Sequence, residues 1–195
     1  MDLLSNKIDS FFQEKIAGLR YTNQTIHDKE FENCTFEKCI FIECEWKDCH
    51  FVDCQFIDCS LSAIKPFNTQ CTNIQFRNSK VMGFDWTKAK SLRLLSFTQC
   101  DLSYSNFSFT KIANIKLIEC VAKEINFGNA DMSGGVFTKT DFSDSVFSAT
   151  NLTKADFRKA FNYGIDFHFN AITKAKFSLP EAASLLKGLD IELEE

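Results

Sequence analysis

Residues 31–61 read FENCTFEKCIFIECEWKDCHFVDCQFIDCSL, and their spacing decides the fold. Phe31, Phe36, Phe41, Trp46, Phe51, Phe56 and Leu61 recur at every fifth position. Cys34, Cys39, Cys44, Cys49, Cys54 and Cys59 keep the same step, each two residues ahead of the next large side chain. A helix repeats near 3.6 residues and a strand near 2, so a sustained period of five requires a chain that turns a corner once per unit. Repetition of this kind signals a solenoid, in which each unit buries its apolar side chain against its neighbours.

The beat continues outward through Pro66, Cys71, Phe76, Val81 and Trp86, slips by one residue, resumes at Leu92 and holds to Phe177. Most of the 22 phenylalanines fall on it, so the aromatic excess reads as a core ladder. The small position persists as Cys100, Ser105, Thr110, Cys120, Ala130, Gly135, Ala155 and Ala160. Units such as Ala130-Asp131-Met132-Ser133-Gly134 and Ala155-Asp156-Phe157-Arg158-Lys159 have the form A(D/N)LXX, and residues 26–177 resemble the pentapeptide-repeat family. The resemblance implies a right-handed quadrilateral β-helix, an all-β solenoid with four pentapeptides per square coil. Positions i and i−2 would point inward and the other three outward. The beats amount to nearly eight coils, including one on Asn162. At about 4.8 Å per coil the rod would be roughly 37 Å long.

Length and composition fit one such domain: 195 residues, 45% hydrophobic and 25% charged, with two prolines, seven glycines and no low-complexity linker. The expected divisions are a capping helix and lead-in over 1–25, the repeat over 26–177, and a terminal helix with a short strand over 178–195. Leu4, Ile8, Phe11, Phe12, Ile16 and Leu19 recur at helical spacing, which predicts a helix over 3–17 that covers the first coil. At the other end Ser178 reads as an N-cap, Glu181 as the partner that completes a capping box, and Gly188 as the stop. Leu189 to Leu193 then alternate as a strand would. Leu185, Leu186, Leu189, Ile191 and Leu193 are too apolar for a solvated tail; they could cap the last coil, but a two-fold homodimer is the preferred expectation. No signal peptide or membrane span is apparent, so a cytoplasmic protein is expected.

Chemistry is sparse. The nine cysteines occupy the small inward position that elsewhere holds Ala, Ser or Thr. Those twenty apart could meet on adjacent coils, but a reduced thiol packing as a compact hydrophobe is the simpler reading. The C-x4-C spacing is not that of a zinc knuckle, and no metal or cofactor is expected. His27, His50 and His168 are scattered and no nucleophile motif appears, so the chain does not read as an enzyme.

Function should therefore lie on the surface and at the ends. Stacked every twentieth residue, the column built on Leu102, Ala122, Phe142 and Asn162 displays Asp101, Glu124, Asp141 and Asp144, with Lys123 among them. The columns built on Ile112 and Leu117 carry Lys111, Lys154, Lys174, Lys116, Lys139, Arg158 and Lys159. The first half repeats Glu43, Asp48, Asp53 and Asp58 at one offset, and a basic stretch, Arg77, Lys80, Lys88, Lys90 and Arg93, lies beside the slip. Residues 62–67 also look like a break in the pattern. Residues 177–186 and 189–193 are similar to the tail of the albicidin-resistance (AlbG) branch of the family, and residues 102–108 to a stretch of the Qnr quinolone-resistance branch. No clear insertion matches the projecting loops of the Qnr rods, so the albicidin branch fits better. That subfamily implies a dimeric, noncatalytic DNA mimic that binds DNA gyrase or topoisomerase IV and relieves poisoning. Asp101, Glu124, Asp141 and Asp144 would be the partner-binding residues, standing where phosphates lie on duplex DNA. With a net charge of only −4 a whole-surface mimic is not evident, and a sequence pI near 5.5 disfavours direct nucleic-acid binding, with the basic stretch a local exception. The alternative is a rod-shaped scaffold or regulator with another partner, since fold alone does not determine function.

Overall fold

The computed structural model describes residues 3–4, 9–189 and 191. It is a parallel solenoid of square section. Each straight segment is a three-residue strand whose central side chain is buried, as in Thr35–Glu37, Gln55–Ile57 and Gln75–Arg77. Strands one coil apart pair in parallel at a separation of twenty residues, Phe36 with Phe56 and Phe56 with Phe76. Four ladders result. The first face stacks Ser10–Phe12, Glu30–Glu32, His50–Val52, Gln70–Thr72 and Ser91–Arg93. The second runs from Lys15–Ala17 to Lys116–Ile118, the third from Arg20–Thr22 to Lys80–Met82, and the fourth pairs Thr25–His27 with Glu45–Lys47. Beyond these, single bridges such as Asp101 with Val121 and Asp131 with Asn151 continue the stack.

The period of five follows from the corner. The second residue after each buried centre sits in the left-handed region, as at Asn33 (φ 54), Asp48 (φ 53), Asp53 (φ 53), Asp58 (φ 54) and Asn73 (φ 53). Asn and Asp tolerate that conformation because their short polar side chains bond locally. The repeated acids of the first half thus have a backbone reason to be where they are. The buried centres form continuous stacks: Phe36, Phe56, Phe76 and Phe97 lie 4.5, 5.0 and 4.8 Å apart, centroid to centroid. Each such contact adds about 0.5–1.5 kcal/mol to the burial of the rings.

The small inward position is a hydrogen-bonding slot. Cys34 Sγ donates to the Phe11 carbonyl at 3.4 Å, Cys54 Sγ to Phe31 at 3.3 Å, Thr69 Oγ1 to Trp46 at 2.8 Å and Thr150 Oγ1 to Phe127 at 2.9 Å. A thiol and a hydroxyl do the same work there, which explains why Cys, Ser and Thr alternate along it. All nine cysteines are buried and free. Burial pushes the Cys49 thiol up to about 11 and the Cys54, Cys71 and Cys120 thiols up to about 12.

Both ends differ from expectation. In place of a helix over 3–17, Ser10–Phe12 and Lys15–Ala17 are strands paired to Glu30–Glu32 and Thr35–Glu37, so the coil begins well before residue 26. Inward positions at i−2 and i produce alternating gaps of two and three, and over one turn these imitate helical spacing. Phe12, which a helix would have buried with Phe11, is 57% exposed. Leu3 is buried against the core beneath Tyr21, whose hydroxyl accepts its backbone N–H, while Ile8 lies outside the described residues.

At the C-terminus a 3₁₀ helix spans Glu181–Leu189, through Gly188 rather than stopping before it. Ser178 and Glu181 do not form a capping box. Ser178 Oγ accepts from Lys159 N at 3.0 Å, and the Glu181 carboxylate accepts from Asn162 N at 3.3 Å, so both satisfy donors on the last coil. An open coil leaves such donors unpaired, and that need outweighs the helix's own. Leu189 ends the helix instead of starting a strand, and residues 190 and 192–195 lie outside the described residues. Asn162 is exposed with φ 57, and Tyr163 and Ile165 fill the core there in its place. Residues 62–67 keep the repeat: Ile64 and Pro66 are buried at their regular positions, and Lys65 bridges Glu45.

Candidate functional site

The third face of the second half carries the four expected partner-binding carboxylates, and the structure divides them. Asp101 and Asp141 belong to one column, bridged through Val121. Each sits one residue before a buried centre and turns its Oδ1 back on the chain. Asp101 accepts from Ser103 N at 3.0 Å and Ser103 Oγ at 2.6 Å; Asp141 accepts from Ser143 N at 3.1 Å and Ser143 Oγ at 2.6 Å. The same Asx bond recurs at Asn106, Asn126, Asp131, Asn151 and Asp156, which lie on other faces. The acidic letter of A(D/N)LXX is therefore a corner-forming acceptor, and its presence on every face was the signal that could have shown it.

Asp141 is further engaged. Asn162 Nδ2 donates to it at 2.8 Å, and Lys123 Nζ lies 3.3 Å from its other oxygen. Burial pushes this carboxyl up, but the bonds from Ser143, Asn162 and Lys123 outweigh that and hold it below the usual carboxylate range. A carboxylate already met by an ammonium has little field left for a partner.

Glu124 and Asp144 are different. Both occupy left-handed corner positions (φ 52 and 59), both are exposed, and they stand one above the other on successive coils with Tyr104 as the next member of the column. Tyr104 is 60% exposed, and Val121 and Phe161 add exposed apolar surface to the adjoining face. Two free carboxylates are thus flanked by aromatic and aliphatic side chains. Among the described residues no three His, Cys, Asp or Glu side chains gather in a way that could hold a metal ion.

The expected dimerisation residues also separate. Leu185 packs half-buried against the core, where Phe177 stacks on Phe157 at 5.4 Å and Ser184 Oγ reaches the Tyr163 carbonyl. It serves as a lid on the last coil. Leu186, Leu189 and Ile191 are exposed, and Leu193 lies outside the described residues. No helix among the described residues is long and apolar enough to cross a membrane.

Comparison with known proteins agrees with the geometry. A sequence model of pentapeptide repeats, itself eight copies long, matches residues 125–161. No curated protein matches the sequence. A trypsin-treated variant of QnrB1 shares the fold with a TM-score of 0.66 at 24% identity, over 92% of this chain and 100% of its own. A second trypsin-treated variant gives 0.61 at 24% identity over 95% and 99%, and full-length QnrB1 gives 0.59 at 22% over 93% and 100%. Those structures are of a plasmid-mediated fluoroquinolone resistance protein. At these identities the likeness establishes the pentapeptide-repeat fold.

Proposed function

We propose that this rod is a noncatalytic DNA mimic that binds DNA gyrase or topoisomerase IV and protects it from poisons such as albicidin or quinolones. The observation that carries the reading is the corner where Glu124 and Asp144 stack one coil apart, exposed, beside Tyr104, Val121 and Phe161. Coils rise by about 4.8 Å, so these carboxylates form a short rail of negative charge. A DNA-binding saddle presents basic groups to a polyanion with one charge per about 1.7 Å of axis, and a short rail engages only part of it. The apolar neighbours supply the contact area a protein partner needs and nucleic acid does not. Likeness of fold to a fluoroquinolone resistance protein supports the class of partner, and the tail residues 177–186 favour the albicidin branch. Asp101 and Asp141 shape the face, while Glu124 and Asp144 meet the partner. Leu186, Leu189 and Ile191, with Leu193, would join two copies end to end as a homodimer, working in the cytoplasm where the topoisomerase acts.

The test is gyrase supercoiling and poison-stabilised DNA cleavage with purified protein, titrated against albicidin and a quinolone. Restored supercoiling is expected, with rescue weakened about tenfold or more by Glu124→Lys with Asp144→Lys. Asp101→Asn, which keeps the acceptor for Ser103, should leave rescue intact. Rescue that survives the double reversal would refute the corner as the docking site, and no rescue with either poison would favour a scaffold with another partner on the same face. Sedimentation of Leu186→Glu should give a monomer if the terminus joins the copies.

A further inference from the structure

The one-residue slip opens a cleft. Up to Trp86 the register is regular, and from Gln70 with Ser91 to Asp85 with Asn106 partners are twenty-one apart, so the extra residue falls between Trp86 and Ser91. There the chain makes a short 3₁₀ turn, Trp86–Lys88, and the first face loses a rung. Ser91–Arg93 pairs below with Gln70–Thr72, and Lys111 pairs above with Asp131, but among the described residues no bridge joins Ser91–Arg93 to Lys111. The backbone N–H groups of Leu92, Leu94 and Lys111, whose counterparts elsewhere donate to the adjacent coil, make no backbone bond there. The result is an open cavity of about 480 Å³ lined by Trp86, Lys90, Ser91, Arg93, Phe109 and Lys111 among others. That size lies within the range of about 300–1,000 Å³ typical of small-molecule sites.

Its walls want an anion. Lys90, Arg93 and Lys111 are exposed and form no ion pair among the described residues. Trp86, which also lines the cleft, is 1% exposed, with its ring stacked on Phe84 and Phe107 in the core. At the mouth Phe109 is 76% exposed at φ 59, an aromatic side chain in a left-handed corner where Asn and Asp are the comfortable choices.

We infer that this cleft binds a nucleoside phosphate, with the phosphoryl oxygens on Lys90, Arg93 and Lys111 and the planar base stacked on Phe109. Three cations and free main-chain N–H groups suit a multiply charged tetrahedral group better than a single carboxylate. An exposed ring gives a base its stacking surface. The site lies apart from the Glu124 and Asp144 corner, so it stands or falls independently of the topoisomerase reading.

The test is calorimetric titration of the full chain with ADP, pyrophosphate, adenosine and a short single-stranded oligonucleotide. ADP should bind, pyrophosphate more weakly, and adenosine not at all at about 1 mM. Arg93→Glu with Lys111→Glu should weaken ADP about tenfold or more, and Phe109→Ala should weaken ADP while sparing pyrophosphate. Lys174→Glu, a reversal several coils away, should change nothing. An oligonucleotide that binds more tightly than ADP and loses affinity in the same variants would identify a nucleic-acid strand as the source of the phosphate. Absence of ADP binding, or binding that the Arg93 and Lys111 reversals leave unchanged, would overturn the assignment. All four variant positions are exposed, and unchanged circular dichroism would confirm the fold of each.

Discussion

The coils before the slip and those after it build the same square section from different chemistry. Up to Lys80–Met82 nearly all sides are paired three-residue strands, Lys65 being a single bridge, and the position before the buried centre is varied, with Thr35, Gln55, Gln75, His50 and Ser60 beside Glu30, Ile40 and Glu45. From Asp101 onward most sides are single bridges joined by tight turns, with Ser105 N donating to Leu102, Ala130 N to Phe127 and Ala155 N to Leu152. There half of the equivalent positions are Asp or Asn, folded back as Asx acceptors. The first half is held by ladder pairing and aromatic stacks, and the second adds side-chain-supported corners. A carboxylate count taken along the second half therefore overstates the charge offered to a partner, because the corners already use part of it.

The largest effect should be common to both halves. Phe56→Ala removes a ring from a continuous stack and Phe137→Ala one that lies tilted on Phe157, and each should cost about 3–5 kcal/mol in urea unfolding, while a much smaller loss on one side would show that the packing there relaxes. The corners should then separate the halves. Asp131→Ala loses the bonds from Ser133 N and Asn151 Nδ2 and should cost about 1–2 kcal/mol, whereas Gln55→Ala at the matching site should stay within about 0.5 kcal/mol. Equal effects would erase the distinction.

Acid should sharpen it further. The Asp156 carboxyl is held low chiefly by the Arg158 side chain, and Asp141 is held low by its bonds against the effect of burial. A folded-state shift downward contributes stability that is present above the ordinary carboxylate range near 3.9 and disappears as pH falls through the depressed values. Hydrogen exchange below about pH 4 should thus loosen the coils containing residues 141 and 156 before those containing residues 35–57. Asp141→Asn should flatten that acid limb, and uniform loosening would count against the assignment. The smallest effect should be a gain: Leu94→Asn, at φ 54 and 56% exposed, should stabilise by about 0.5–1 kcal/mol, read as a higher Tm.

Phe31 to Leu61 made the solenoid and its buried positions legible, because an apolar residue repeated every five has only one way to stay dry. The corner residues were legible as a pattern but not as a role. Asp101 and Asp141 read as displayed charge along the chain, whereas in the fold their Oδ1 atoms accept from Ser103 and Ser143. The ends misled for a local reason: Phe11, Ile16 and Leu19 satisfy two periodicities over one turn, and only pairing with Phe31 and Phe36 chooses between them.

The sequence by itself determined the repeat, the aromatic stacks and the cysteine slot, since these depend on which side chains can be buried at a fixed interval. Tertiary structure alone decided which carboxylates stay free, that Ser178 and Glu181 close the last coil, and that one added residue before Ser91 opens a basic cleft. Each of those depends on the hydrogen-bond partners presented by a coil twenty residues away, and position along the chain does not reveal whether such a partner is already taken.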